Sequence, residues 1–405
     1  MKRLSIVLAI SLVSLFSVSA QSEIENILSQ FHADSLKKTV EDLVGFDNRL
    51  CSATEGNNRK VAQYLVQRLK DYGIESAEID SFRVQMKHFF LGDIDQYMYN
   101  VKGRLSGSVR PDSIVVIGAH LDAIAYIIHS TSPLVIEPLN TTPGANDNAT
   151  GVAVMIEVAR IFHANNLVPK YSIDFMAYDA EEIGLCGARD DANKRKAANE
   201  NIYAMLNNDM VGIQSEEADE WKVVFHANAD AIQSKAEYIC QNYTLLHPYY
   251  PNNLDSSYRN SDSWAYRAVG FKTFYSHGYE DDTNYHTLSD LPKWLNYNYM
   301  AEFAKLHFSL IYDFAIENIT GNVGINNYEL RNTNYVVYPN PTTNQLRITN
   351  YELRDGMGYS IYSVMGQKVL HGKLQDETTI INVESLAKGM YFLKIDGKTM
   401  KIIKN

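Results

Sequence analysis

Five short stretches hold the residues that can do chemistry: Gly118-Ala119-His120-Leu121-Asp122, Gly144-Ala145-Asn146-Asp147-Asn148, Asp179-Ala180-Glu181-Glu182, Asn208-Asp209-Met210 and Tyr285-His286-Thr287-Leu288-Ser289-Asp290. Two imidazoles, two aspartates and a glutamate suffice for two divalent ions when one aspartate bridges them. A second glutamate beside a ligand is then free to act as a general base. Taken singly, each match is weak. A His-x-Asp triplet recurs by chance, and Asp147 lies in a glycine- and asparagine-rich turn where capping is the ordinary role of an aspartate. Adjacent glutamates are usually solvated surface, Asp209 reads alone as a strand-end polar residue, and His286 as a loop histidine. Order and type together outweigh these readings, because all five stretches stand beside turns that follow apolar segments.

To converge, these residues need elements that end side by side. Residues 113–119 are a β-branched apolar run, hence a buried strand that delivers His120 at its carboxyl end. Residues 171–178 read as a second strand, followed by Glu181 and Glu182 and then by the tight return Gly184-Leu185-Cys186-Gly187. From Gly151 onward Val152, Met155, Ile156, Ala159 and Phe162 recur at helical spacing, which puts Asp147 just before a helix N-terminus. Val61, Tyr64, Leu65 and Leu69 mark another helix over residues 57–72, with Gly73 as its stop. Ligands just past strand ends are what an open α/β sheet offers at its binding crevice. The expected fold class is therefore α/β, a mixed β-sheet flanked by helices.

The length of 405 residues allows two or three domains, and 45% hydrophobic content supports a buried core. A formal charge of -11 repels phosphate backbones and anionic lipid, and the basic residues form no dense cluster beyond Lys194-Arg195-Lys196, so no nucleic-acid partner is expected. Three cysteines, Cys51, Cys186 and Cys240, are too few for a disulfide framework and leave a Cys186–Cys240 bridge open. Lys2 and Arg3, the apolar run over residues 4–18 and Ala20 fit a secretory signal over residues 1–20, cleaved before Gln21. That run is shorter than the roughly 20 residues of a spanning helix, and no later segment qualifies, so the mature chain is expected to be soluble, with no transmembrane segment. Beyond residue 320 the texture changes. Residues 321–334 are polar and asparagine-rich, a linker, and short strands over 345–348, 359–364, 367–370, 390–395 and 399–403 make residues 335–405 a small all-β domain without ligand clusters or catalytic pairs.

Over residues 21–320 the chain resembles the M28 peptidases, the di-zinc aminopeptidase family of clan MH. The resemblance rests on His120-Leu121-Asp122, the stretch from Pro143 to Gly151, Glu181-Glu182-Ile183-Gly184-Leu185-Cys186-Gly187, Asp209-Met210 and Tyr285-His286-Thr287. It implies a zinc-exopeptidase fold with two Zn2+ ions, one held by His120 and Asp209, the other by Glu182 and His286, and Asp147 bridging. It further implies Glu181 as the base acting on a water shared by the metals, Asp122 as the partner that orients His120, and a cis bond between Asp147 and Asn148. Tyr258, three residues before Ser261-Asp262, would assist the tetrahedral intermediate. Met210 and Tyr285 are candidates either for an apolar side-chain pocket or for plain core packing. Substrates would be peptides or proteins with a free N-terminus. A carboxypeptidase, a glutaminyl cyclase-like acyltransferase on the same scaffold and a non-catalytic peptidase-fold receptor remain alternatives. The cyclase generally works with one zinc and the receptor predicts eroded ligands, whereas no ligand is missing here.

The tail resembles the C-terminal sorting domain of the type IX secretion system, through Val337-Tyr338-Pro339-Asn340-Pro341, Gly366-Gln367-Lys368-Val369, Leu386-Ala387-Lys388-Gly389-Met390-Tyr391 and the basic end from Lys398 to Lys404. It implies a β-sandwich read by the type IX machinery. The enzyme would then be secreted or attached to the cell surface after export through the periplasm of a Gram-negative bacterium.

Overall fold

The computed structural model describes residues 23–51, 57–129, 135–215, 218, 220–249, 257–321, 335–338, 340, 342–350, 358–363, 366–374, 378–395 and 398–405. The expected signal segment and nearly all of the expected linker lie outside the described residues. The chain divides into two compact units, residues up to 229 with 236–321 in the first, and 230–235 with 322–405 in the second.

The first unit opens with helix α1, residues 23–28, and α2 (Ala33–Val44), which bury Ile24, Leu36, Val40 and Leu43. Helix α3 (Asn57–Asp71) buries Val61, Leu65 and Leu69 as the periodicity requires. It stops where Gly73, at φ 75°, lets the Ile74 N–H turn back onto the Leu69 carbonyl. Strands β1 (Glu78–His88) and β2 (Gly92–Leu105) form a long antiparallel hairpin, followed by β3 (Arg110–His120). The ribbon of β4 (Tyr126–His129) and β5 (Val135–Pro138) stands outside the main sheet. Then come α4 (Thr150–Ala164), β6 (Tyr171–Tyr178), α5 (Cys186–Ala197), β7 (Asn201–Asn208), β8 (Trp221–Ala227), α6 (Asp230–Tyr243), β9 (Leu246–Tyr249), α7 (Ser263–Ala268), β10 (Thr273–Gly278) and α8 (Tyr297–Ala315).

The main sheet runs β1-β2-β6-β3-β7-β10-β8-β9. Its central strands β6, β3, β7 and β10 are mutually parallel, with antiparallel neighbours on either side, so the sheet is mixed as expected. The apolar run Ile114–Ala119 is buried throughout because β3 lies mid-sheet with helices packed against it. Helix α4 is buried on almost every side, Ala153, Val154, Val158 and Ile161 included, where a single apolar stripe was expected. It lies between the sheet and helices α2 and α8, and a helix with two covered faces must be apolar on both.

In the second unit, β11 (Tyr335–Tyr338), β12 (Gln345–Asn350) and β15 (Thr378–Asn382) make one antiparallel sheet. Strands β14 (Lys368–Lys373), β13 (Gly358–Ser363), β16 (Gly389–Ile395) and β17 (Lys398–Lys404) make another. Both contribute to one core of Leu346, Ile348, Ile361, Ile381, Leu393 and Ile395, while Lys394 between the last two faces outward, the alternation of a sandwich strand.

All three cysteines are free thiols, so the bridge left open between Cys186 and Cys240 is not formed. Cys186 packs with Cys51, Phe82, Val84 and Met98, a cluster to which Cys240, buried on α6, does not belong. Among the described residues no helix is long and apolar enough to cross a membrane.

Candidate metal centre

Parallel register assembles half of the site. Ala119 pairs with Ala177 and Gly118 with Asn207, so β3, β6 and β7 end together, presenting His120, the turn after Tyr178 that carries Glu181 and Glu182, and Asp209. The remaining donors, Asp147 and His286, come from loops. Among non-glycine residues with left-handed backbone are Ala180, Leu185, Met210 and His286, all at or beside the site, a concentration typical of functional turns.

The five candidate ligands converge. His120 Nε2 lies 3.1 Å from Asp147 Oδ1 and 3.4 Å from Asp209 Oδ1. His286 Nε2 lies 3.1 Å from Asp147 Oδ2 and 2.9 Å from Glu182 Oε2. Asp147 thus offers one oxygen to each of two imidazole–carboxylate groups. A tetrahedral zinc with bonds near 2.0–2.1 Å separates its donors by roughly 3.3 Å, so these spacings suit two ions sharing one carboxylate. Buried carboxylate oxygens without a hydrogen-bond partner point the same way: Asp209 Oδ1 and Glu182 Oε1 are ligand atoms left over for something else. Both neighbouring glutamates reach the cluster. Glu181 groups with His120 and Asp209, and Glu182 with His120 and Asp147, donor atoms within 4.8 Å of one another.

Electrostatics fit the same chemistry. Burial, with Asp147 adding repulsion, pushes Glu182 up to about 7, and burial likewise holds Glu181 well above the usual carboxylate range. Burial opposes charge on His286, but Glu182 and Asp147 outweigh it and push the imidazole up to about 12. Burial would raise Asp147, yet His120 and His286 hold it below the ordinary value. Protons and cations would therefore compete for the same buried groups.

Around the donors is a second set of contacts that sequence reading reached only in part. His120 Nδ1 lies 3.1 Å from the Asp122 carbonyl oxygen and 3.5 Å from its carboxylate. The Asp122 carboxylate instead accepts the Glu181 N–H at 3.1 Å and the Glu182 N–H at 3.3 Å, so it fixes the glutamate turn as much as the histidine. Asp290 accepts the N–H groups of Asn146 and Asp147 at 2.7 and 3.0 Å, and fully buried Arg49 donates to the carbonyls of Pro143 (3.0 Å) and Gly144 (2.5 Å). Asn148 donates to the Asn208 carbonyl at 2.9 Å and accepts from the Gly151 N–H at 2.9 Å, tying this loop to the end of β7. The approach there is so close that a Cβ on Gly151 would meet the Asn208 carbonyl. The Asp147–Asn148 bond is cis, as expected. Behind Asp209, buried His307 sits between Asn208 and Ser276, and burial pushes it down to about 3, so it is neutral.

Asp290, Arg49 and Asp262 were not read from sequence as functional. Asp262 is fully buried with neither carboxylate oxygen paired, and its neighbour Ser261 places Oγ 2.7 Å from Asp209 Oδ2. Tyr258 belongs to a 3-10 turn, Ser257–Asn260, but its side chain lies outside the described residues. A cavity of about 420 Å³ opens over the donors, its further walls formed by Met210, Asn260, Tyr275, Asp281, Asp282 and Tyr285. Met210 and Tyr285 therefore line the cavity.

A family model described as peptidase family M28 matches residues 100–311, and one described as a secretion system C-terminal sorting domain matches residues 336–405. A probable leucine aminopeptidase of Arthroderma otae is 24% identical over 322 residues, covering 73% of this chain and 76% of that protein. A probable zinc metalloprotease of Pyrenophora teres f. teres is 28% identical over 338 residues, covering 75% and 69%. Among solved structures, LapB from Legionella pneumophila superposes with a TM-score of 0.56 at 22% identity, over 73% of this chain and 75% of that one. The zinc aminopeptidase BSAP of Bacillus subtilis does so with a TM-score of 0.56 at 14% identity, over 70% and 95%. These two likenesses show a shared fold.

Proposed function

The chain belongs to peptidase family M28 and carries a type IX sorting domain, and from that premise we propose that it is a secreted di-zinc aminopeptidase. The observation that carries the metal count is Asp147, whose two oxygens face separate imidazole–carboxylate groups. His120 and Asp209 would hold one ion, Glu182 and His286 the other, with Asp147 between. When bound, such ions polarise a peptide carbonyl and lower the pKa of water. Glu181 then takes the proton from the attacking water and returns it to the leaving amine, a role its burial suits by raising its basicity. Asp122 holds the Glu181–Glu182 turn in place, and Asp290 with Arg49 holds the Asp147 loop. Tyr258 is assigned to the developing oxyanion by resemblance alone.

The cavity walls favour an amino-terminal over a carboxy-terminal substrate end. Asp281 and Asp282 line it, and no lysine or arginine is among its described lining residues, so a substrate carboxylate would lack a partner where an ammonium finds two. Met210, Tyr275 and Tyr285 supply apolar surface for the first side chain, which agrees with relatives named leucine aminopeptidases. For the chain as a whole we propose a signal over residues 1–20, a peptidase domain over 21–320, a linker over 321–334 and the sorting domain over 335–405. Export then takes it through the periplasm to the surface or medium.

Aminoacyl chromogenic substrates, compared with N-acetylated counterparts and with metal analysis, test this reading. Two zinc ions per chain and hydrolysis only of free-amine substrates are expected. One zinc with cyclisation of N-terminal glutamine would replace it by the cyclase. Removing residues 337–405 should leave hydrolysis intact and keep the protein inside the cell envelope, read by cell fractionation.

A further inference from the structure

We infer that a row of aromatic rings running out from His286 to the tip of the β1–β2 hairpin receives the residues that follow the scissile bond, and selects substrates with apolar or aromatic side chains there. The inference rests on the aminopeptidase reading above. Tyr285 stacks on His286 with centroids 3.7 Å apart, and Tyr126 meets the same imidazole edge-on at 5.4 Å. Phe90 meets Tyr126 edge-on at 5.7 Å, and Phe89 and His88 each meet Phe90 at 4.5 Å. The row is held at its inner end, because the Tyr126 N–H donates to the His286 carbonyl at 3.1 Å.

Its outer end is open. Phe89 is 78% exposed in the hairpin turn, Tyr285 is 47% exposed, and Ile127 and Ile128 beside Tyr126 are exposed as well. Exposed aromatic and aliphatic side chains grouped in this way mark an interaction surface more often than singly scattered ones do. Continuity with the cavity names that ligand. Tyr285 belongs both to the cavity wall and to the row, whereas Tyr126, Phe90 and Phe89 lie outside the cavity. A peptide whose first residue fills the cavity must carry its second and third residues over the rim. At the Tyr285–His286 rim the surface is a series of ring faces and edges, which pair best with other rings and with apolar side chains. The occupant is therefore the downstream part of the substrate.

The test compares kcat/KM for X-amide, X-Ala-Ala and X-Phe-Phe, X being the residue removed fastest. Native enzyme is expected to prefer X-Phe-Phe to X-Ala-Ala by about tenfold, mainly through KM, the effect of one or two ring contacts. Phe89→Ser, at an exposed position, should cut that preference at least about threefold, with Phe90→Leu, which keeps apolar volume, acting in the same direction. Equal kcat/KM for the two tripeptides in native enzyme, or variants that lower all three substrates in parallel, would overturn the inference. A sedimentation mass of twice the chain that reverts to one in Phe89→Ser would assign the row to a second copy instead. An enzyme inactive on every X-amide would fail the catalytic reading itself, which is a different result.

Discussion

The two halves of the candidate centre are built differently. His120 and Asp209 sit on or just past strand ends, so their separation is set by the hydrogen-bond register of β3 and β7. His286 belongs to a loop, has left-handed backbone at φ 56°, and is contacted by the rings of Tyr285 and Tyr126, while Asp147 depends on Asp290 and Arg49 from distant parts of the chain. A sheet presents donors without further help, whereas a loop does so only through a set of side chains, each of which can be removed. Because Asp147 faces both groups and Glu182 also follows a strand end, His286 is what distinguishes them, and an ion held on its side is expected to exchange the faster.

The neighbouring glutamates should give the largest separation. Glu181→Gln is expected to keep both metals and lose about 10² to 10⁴ in kcat, the loss of a general base. Glu182→Gln should empty one site and recover part of its activity in added zinc. Metal analysis beside steady-state kinetics reads both, and near-normal turnover in Glu181→Gln would reject the mechanism. Next, Asp290→Asn should loosen Asp147 and weaken zinc binding by about 10- to 100-fold, as loss of a partner behind a ligand does elsewhere. If calorimetry shows native affinity, Asp147 is held by other means.

Proton competition gives an intermediate effect. Burial and Asp147 push Glu182 up to about 7, and Glu182 and Asp147 push His286 up against burial, so near neutral pH protons compete with zinc for these groups. Zinc affinity should therefore rise with pH through 7 and fall below it, with protons released on binding. Calorimetry in buffers of different ionisation enthalpy measures that release, and its absence would contradict the charge state described. Smallest should be Tyr126→Phe, which removes a hydroxyl 3.4 Å from His286 Nδ1 and leaves the ring. About a twofold faster loss of one ion to chelator, with the other unaffected, is the expected result for so long a contact. Equal acceleration of both would erase the distinction between the halves.

What sequence made legible follows the same division. His120, Glu181, Glu182 and Asp209 adjoin apolar runs whose period reveals a strand, so type and place could be read together. Arg49 and Asp290 act on the Asp147 loop from 95 and 143 residues away; Asp290 stands in the same stretch as His286, but neither residue's neighbourhood shows that it holds that loop. Asp122 was legible as a partner of His120, but its carboxylate faces the glutamate turn because β3 and β6 end at the same level, which only pairing reveals. Helix α8, buried along nearly its whole length, was not read from sequence.

Burying several carboxylates together ordinarily opposes folding, because like charges in a dry interior repel. Here Arg49 lies beneath them with burial holding its guanidinium at about 10, still charged at neutral pH, and the upward shifts of Glu181 and Glu182 let protons neutralise what remains. Folding is therefore expected not to require the ions. Chelated protein should accordingly melt cooperatively, at a lower temperature than the zinc form but from the same fold, and a non-cooperative melt would show that the ions are needed to build the site.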